Sequence, residues 1–379
     1  MGKKIISALI VFCIVLAVFG CSKNGQHIEK IDFKVGFIMG SESYCPEENA
    51  LVNQITELYG SEKIVSAVYS DDYAGNPSLI ETVANQVIQD EKIKVIIFDR
   101  AVLGTATAIE KVKEERDDIY IVCIGTDEDI NVISDLADLV INVDEVALGK
   151  SAVEQAKEMG AEVFVHYTYN RHIGYPNVAR RMEAIEQKCK DVDIEFVLAS
   201  SVDPLSSNGI SGANQYIIED AVRKQKEYTG KKIAYFSTES VVQRALIETS
   251  IKHNTILPVQ VYPSPFVGFP DVLEMDLNSK QFDTPTLLEA IKEKVVEKGN
   301  EGNMATWSVS APKLMLNAAF AYALEHVNNS WDAIDKDKII DVFNKKSGEN
   351  NIVDVAQFTN DDGKILENVF VVSDNEYNF

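Results

Sequence analysis

Two similar α/β lobes, each built on a doubly wound parallel sheet, are the fold the sequence predicts. Three observations carry that reading. From residue 34 onward, short β-branched runs alternate with longer amphipathic segments, the pattern of a parallel sheet wound with helices. The runs Val95–Asp99 and Ile119–Ile124 show no polar alternation, as expected of strands covered on both faces. The series is also too long for one open sheet, and it falls into two stretches of the same character.

The first stretch places strands at Val35–Met39, Ile64–Ser70, Val95–Asp99, Ile119–Ile124 and Leu139–Val143. Their valine, isoleucine and aromatic side chains suit a pleated, buried surface. Helices fall near Glu47–Tyr59, Ser78–Asp90 and Thr105–Glu115, where apolar residues recur at steps of three and four. The second stretch has strands at Val163–Tyr167, Ile194–Ala199, Ile233–Ser237 and Leu257–Tyr262. Helices near Ala147–Met159, Pro176–Cys189, Ala213–Tyr228 and Val241–Lys252 separate them. After Pro263 the prolines at 265, 270 and 285 mark a loop-rich passage before helical periodicity resumes at Leu287–Lys298. Met304–Ser308 reads as extended and leads through Pro312 into an alanine-rich helix ending near Asn328, with a shorter helix near Lys338–Lys345. Val353–Phe358 and Val369–Ser373 read as strands joined by the Asp361-Asp362-Gly363 turn. The expected division is therefore residues 33–143 plus about 304–346 for one lobe, and 144–303 plus about 350–379 for the other.

A hydrophobic content of 46% with 25% charged residues is that of a folded globular chain, so extensive disorder is excluded. The net charge of −23 repels phosphate backbones, which argues against a nucleic-acid partner. No CxxC pair and no Cys/His ligand spacing occurs, so the sequence calls for neither a metal nor a cofactor. Cys123 sits within an apolar run and reads as a small buried hydrophobe.

Ahead of this body, Lys3 and Lys4 precede an apolar run from Ile5 to Phe19, the plan of an export signal and too short for a membrane span. Val18-Phe19-Gly20-Cys21 resembles a bacterial lipobox, although Phe19 stands where a small residue is usual. That resemblance implies removal of residues 1–20, lipidation (palmitate included) at Cys21, and a flexible tether over 21–32. The mature protein is then expected on the extracytoplasmic face of the cell membrane, held there by more than one acyl chain.

The segment Asp138-Leu-Val-Ile-Asn-Val-Asp-Glu-Val-Ala-Leu-Gly-Lys-Ser resembles the first interlobe crossover of type I periplasmic binding proteins. Lys34-Val-Gly-Phe-Ile-Met resembles the opening strand of that superfamily, and Ile233-Ala-Tyr-Phe-Ser-Thr-Glu-Ser its late strand-to-helix unit. Thr306-Trp-Ser-Val-Ser-Ala-Pro-Lys resembles the stretch that recrosses to the first lobe. Within the superfamily, the chain is most similar to a poorly characterised group of bacterial lipoproteins. The resemblance implies two lobes on a multi-strand hinge, closing on a small polar solute for the membrane subunits of an ABC importer or for a membrane sensor. Cytoplasmic relatives that repress genes carry a helix-turn-helix ahead of the first strand, where this chain has its export signal.

Ligands of open α/β sheets lie beyond the carboxyl ends of the strands. Those ends supply Ser41, Tyr44, Asp71, Tyr73, Arg100 and Thr126 from the first lobe, and Arg171, Asp203, Thr238, Glu239 and Phe266 from the second. Trp307 falls at the last crossover, beside the hinge. Arg100 and Arg171 could hold an anionic group of the solute through the arginine fork, or could pair with neighbouring acids. The tyrosines, Phe266 and Trp307 offer flat walls for a sugar-like ring. Gly149-Lys150-Ser151 lacks the first glycine of a phosphate loop, Asp144 standing in its place. Asp71-Asp72 and Asp127-Glu128-Asp129 lack the spacing of a calcium loop and read as helix caps or solvated acids. No hydrolase motif occurs. A lipid-anchored hydrolase is the alternative, and it requires a serine or acid poised against His166 or His172.

Overall fold

The computed structural model describes residues 30–277, 283–331, 333–347 and 353–379. The expected export signal, Cys21 and most of the 21–32 tether lie outside the described residues. Sequence runs without polar alternation form the centre of the first sheet, β1 (Lys34–Met39), β3 (Ile93–Asp99), β4 (Tyr120–Ile124) and β5 (Leu139–Val143), while the partly exposed β2 (Ile64–Val68) lies at its edge. All pair in parallel, in the order β2-β1-β3-β4-β5. Successive side chains serve opposite faces. Phe37, Ile97, Val122 and Ile141 pack with helix α1 (Pro46–Tyr59) and the long α12 (Ala311–Asn329). Ile38, Ile96, Ile121 and Val140 pack with α2 (Ser78–Ile88), α3 (Thr105–Glu115) and α4 (Ile130–Leu136). Each such side chain contributes about 1.5–3 kcal/mol on burial, so these two layers hold the lobe.

The second sheet is smaller. Strand β6 (Val163–Thr168) lies between β7 (Glu195–Ser200) and β8 (Ile233–Ser237), all parallel. One face is covered by α5 (Glu145–Glu158) and α7 (Pro176–Asp191), the other by α8 (Gly209–Glu227), α9 (Gln243–His253) and α11 (Thr284–Glu297). Acids at strand ends start the helices: Asp144 accepts from the Ala147 amide at 2.8 Å, and Asp129 from the Asn131 amide at 2.9 Å.

Two expectations fail. Leu257–Tyr262 forms no ladder, only single bridges from Ile256 to Ala234 and from Leu257 to Met304. Side chains satisfy its backbone instead: the Tyr262 amide donates to Gln243 Oε1 at 3.0 Å, and Trp307 Nε1 donates to the Gln260 carbonyl at 2.8 Å. The assignment of residues 350–379 to the second lobe is corrected as well. Strand β11 (Ile365–Ser373) pairs parallel with β5, and β10 (Asp354–Thr359) pairs antiparallel with β11, both extending the first sheet. Buried Val369 and Phe370 explain the choice, since they fill the two hydrophobic layers beside Val140 and Ile141. Among the described residues of this stretch, β12 (Glu376–Asn378) and Phe379 reach the second lobe, where β12 pairs with β9 (Ala305–Trp307).

The chain thus crosses between lobes three times, near residues 143–145, 308–311 and 373–376. Asp374 ties two crossings together, accepting from Ser308 Oγ at 2.8 Å and from the Val309 amide at 2.9 Å. The third is joined through the Asp144 amide, 2.9 Å from the Val372 carbonyl.

Behind the first crossing, α5 and α7 approach closely at Gly149. A methyl group there would stand 2.9 Å from the Arg181 carbonyl oxygen and 3.1 Å from the Ile185 side chain. Replacing an interior helix glycine by alanine ordinarily stabilises by up to about 1 kcal/mol. Here Gly149→Ala is expected to destabilise by about 1–3 kcal/mol in denaturant unfolding, because a backbone oxygen cannot yield. A gain in stability would show that the two helices separate freely.

Candidate functional site

Strand ends of both lobes converge on one cavity of about 140 Å³. The first lobe contributes Asp99 and Arg100 after β3, Thr126 and Asp127 after β4, and Asn142 at the end of β5. The second contributes His172 after β6 and Thr238 with Glu239 after β8. The walls touch across the cleft. Asn177 donates to the Thr126 carbonyl at 2.7 Å, and the Tyr262 hydroxyl meets the Glu48 carboxylate at 2.8 Å.

Arg100 is set by strain. Its φ of +57° lies in the left-handed region, unusual for a residue with a side chain and a marker of functional sites. The Tyr69 hydroxyl fixes that turn by donating to the Arg100 carbonyl at 3.3 Å. Burial opposes the guanidinium charge, but Asp127, with Cys45 and Tyr73, outweighs it and holds the group firmly protonated. Asp127 responds in kind: burial raises its pKa and Arg100 pulls it back.

Glu239 starts the turn after β8, accepting from the Ser240 amide at 2.9 Å. Burial works against its charge, yet His172 and the Tyr169 hydroxyl, which donates at 2.6 Å, hold it below the usual carboxylate range. His172 itself stays neutral, because burial pulls its pKa down to about 4. At neutral pH the Tyr169 hydroxyl, with Arg100 and the Val241 amide, therefore carries the support of Glu239. Thr238 presents its hydroxyl to that of Thr168 at 3.2 Å.

Of the sequence candidates, Arg100, Thr126, Thr238 and Glu239 line the cavity. Thr126 serves mainly as a strut, its amide on Asn142 at 2.9 Å and its hydroxyl on the Ala101 carbonyl at 3.3 Å. Tyr44 and Tyr73 lie close by, within the electrostatic reach of Arg100 and Glu239. Burial, then Asp71, raises the Tyr44 pKa. Ser41 opens the turn before α1 with a buried, unpartnered hydroxyl, and Asp71 is exposed. Neither lines the cavity.

Three candidates have other employment. Arg171 forms a two-point pair with Asp203 at 2.9 and 3.0 Å and bonds the hydroxyls of Tyr175 and Tyr169 at 2.8 and 3.2 Å. Four of its five N–H donors are engaged and its charge is met by Asp203, so the pair is turned to structure rather than to an anionic solute group. Phe266 packs on the second lobe under Lys313, whose Nζ is 5.7 Å from the ring centre. Trp307 is 3% exposed and fills the hydrophobic layer beside the hinge, away from the cavity.

The sequence reading passed over Glu48, Glu145, Tyr175, Asn177, Arg181 and Tyr262, which also line the cavity. Arg181 pairs with Glu145 and donates to the Thr238 carbonyl at 3.2 Å. A signal for two of them existed. Glu48 shares the buried stripe of Leu51, Val52 and Ile55, and Arg181 that of Val178, Ile185 and Cys189. A charge on an apolar helix stripe is a buried charge, and buried charges are paired or functional.

Residues 33–305 match the family described as "Protein of unknown function (DUF3798)". The chain belongs to this family. Two uncharacterized proteins of Treponema pallidum (strain Nichols) are similar to this DUF3798 protein, at 26% identity over 45% of the chain and 78% of the relative, and at 27% over 46% and 81%. A crystal structure from Clostridium difficile 630, provisionally named a transcriptional regulator, superposes with a TM-score of 0.75 at 21% identity, covering 92% of this chain and 99% of that one. A periplasmic solute-binding protein of an ABC transporter from Actinobacillus succinogenes 130z, with bound D-allose, gives 0.54 at 13% identity over 81% and 99%. A periplasmic ribose ABC transporter protein from Conexibacter woesei DSM 14684 gives 0.53 at 10% over 80% and 88%. At such identities the likeness is one of fold. The DUF3798 chain has the two-lobed α/β fold of type I periplasmic binding proteins, shared by solute receptors and regulators.

The hydrolase alternative required a serine or acid poised against His166 or His172. His166 has neither ring nitrogen partnered and lies among the rings of Phe196 and Phe236. His172 stacks on Tyr169 and stands 3.4 Å from Glu239, with its Nδ1 unpartnered. Glu239 is thus an acid placed at His172, while among the described residues the unpartnered nitrogens of His166 and the His172 Nδ1 meet no serine hydroxyl.

Burial, reinforced by Arg181, lowers the His166 pKa from 6.5 to about 3. Below pH 6.5 the unfolded chain takes up a proton that the folded chain refuses, so this residue costs stability as pH falls toward 3. His166→Leu removes a buried polar group without partners and is expected to be neutral or stabilising by up to about 2 kcal/mol at pH 7. At pH 5 its advantage over the parent grows by a further ~2 kcal/mol, at about 1.4 kcal/mol per unit. Urea unfolding of both proteins at the two pH values measures this. An advantage that shrinks at pH 5 would place a charged, paired imidazole at this position.

Proposed function

We propose that this DUF3798 protein is an extracytoplasmic solute receptor, lipid-anchored through Cys21, whose lobes close on one small, hydroxyl-rich neutral solute. The observation that carries this reading is the convergence of strand ends from both lobes on a single polar cavity bridged by Asn177 and Thr126. A volume near 140 Å³ lies below the roughly 300–1,000 Å³ of drug-sized sites, which limits the solute to about one sugar ring. The charge pattern selects its chemistry. Arg171 is bound to Asp203 and Arg181 to Glu145, while Arg100 stands in the field of Asp127, so the acids of the cleft outnumber the cations left to meet an anionic solute. Carboxylates such as Glu239 accept from hydroxyl groups, and Arg100 and Asn142 supply donors in return. Closure then follows from tighter binding to the closed form, with the three crossings absorbing the rotation. The bound form would be read by the membrane subunits of an ABC importer or by a membrane sensor.

Thermal melting against a panel of neutral pentoses, hexoses and polyols tests the reading. At a hundredfold excess over Kd, a true solute stabilises by about 2.7 kcal/mol. Glu239→Gln should weaken binding by about 10- to 100-fold, the worth of a hydrogen bond to a charged group. Anionic sugar phosphates should bind no better than buffer. Silence across the neutral panel, or tight binding of anions, overturns the solute class. The anchor is tested separately: cells fed labelled palmitate should label the parent and not Cys21→Ser, and label in both would place acylation elsewhere.

A further inference from the structure

Beneath Arg100, at the floor of the cleft, two side chains from the start of α1 meet a third from the end of β3. Cys45 precedes α1, Glu48 stands three residues on in its first turn, and Asp99 ends β3. Three positions apart at a helix start places Cys45 and Glu48 on one face, and the parallel neighbour β1–β3 brings Asp99 to them. One ligand atom from each, the Cys45 sulfur and a carboxylate oxygen from each acid, lies within 4.8 Å of the others. All three residues are buried, at 0%, 1% and 2% exposure. Asp99 Oδ2 has no hydrogen-bond partner, an arrangement that costs free energy unless something else meets it. Glu48, by contrast, is oriented by the Tyr262 hydroxyl at 2.8 and 2.9 Å from its two oxygens, the kind of outer support that fixes a metal-ligating carboxylate.

We propose that Cys45, Glu48 and Asp99 bind one divalent cation of borderline-soft character, for which zinc is the best fit. The sulfur argues against calcium and magnesium, which take oxygen ligands, and favours zinc, which accepts thiolate and carboxylate together. Arg100 cannot neutralise the cluster by itself, because Asp127 competes for its charge. A double charge beside two carboxylates and a thiolate balances the floor of the cleft. Three protein ligands leave a fourth position, and Glu48 and Asp99 line the cavity, so that position opens toward the cleft. The other two buried thiols, Cys123 and Cys189, have no comparable group of acids among the described residues. The site requires neither the solute reading nor any motion of the lobes.

Cobalt and zinc are the probes. Metal-stripped full chain is expected to take one equivalent of Co²⁺ with a near-ultraviolet thiolate-to-cobalt charge-transfer band, which one equivalent of Zn²⁺ abolishes. Cys45→Ser should remove the band, Asp99→Asn should weaken the metal at least tenfold, and Cys123→Ser should leave both unchanged. X-ray absorption at the zinc edge of the unmutated protein needs no variant to fold and should report one sulfur among oxygen neighbours. Cobalt bound without the band, a band that survives Cys45→Ser, or a zinc shell without sulfur overturns the site. Sugar binding is measured separately in the stripped protein, so loss of one result does not decide the other.

Discussion

The cleft is governed by one constraint: a carboxylate taken out of water must find a cation, a donor or a proton. Asp203 has Arg171, Glu145 has Arg181, and Glu239 has the Tyr169 hydroxyl. Arg100 is shared among the rest, and its left-handed backbone is what carries it from the end of β3 into their midst. A backbone conformation that costs about 1–2 kcal/mol persists because the electrostatic neighbourhood depends on it. Selectivity follows from the same arrangement. With Arg171 and Arg181 already paired inside the protein, the cleft presents carboxylate acceptors, and Arg100 and Asn142 as donors, to whatever enters.

The fold was legible to the extent that it is local. Strands β1, β3, β4 and β5 stand within a residue or two of their sequence boundaries, because doubly buried strands write themselves as unbroken β-branched runs. The hairpin near the end of the chain was legible as a hairpin, but not its partner. Which sheet edge accepts it is decided by where Val369 and Phe370 find apolar neighbours, a tertiary fact without local trace. The site divides in the same way. Arg100, Thr126, Thr238 and Glu239 follow from the rule that ligands sit beyond strand carboxyl ends. Glu48 and Arg181 reach the cavity from helices, where their place on an apolar stripe was the available sign. Arg171 and Trp307 illustrate the converse. Residues of the right type at the right place are turned to structure when Asp203 or the Gln260 carbonyl satisfies them first.

The partial likeness to regulators and to sugar receptors concerns a scaffold on which both activities occur, so the distinction rests with particular side chains rather than the fold. In this chain those side chains lie on opposite sides of a hinge whose crossings share Asp374. Ser308 and Val309 hang from one carboxylate, and the Asp144 crossing leans on the same strand through Val372. The three connections are thereby one mechanical element rather than independent tethers.

The closing stretch of the chain has a consequence for how the molecule comes into being. Its residues 365–373 complete the edge of one lobe, while Phe379 is buried in the other, edge-on to Phe269 at 5.2 Å. Neither lobe is therefore a contiguous segment that can finish on its own. Both draw on residues 365–379, and they are completed together. Long-range pairing of this kind is slow and leaves sheet edges open meanwhile. Until residues 365–373 pair, the β5 edge of the first sheet stands open to another strand.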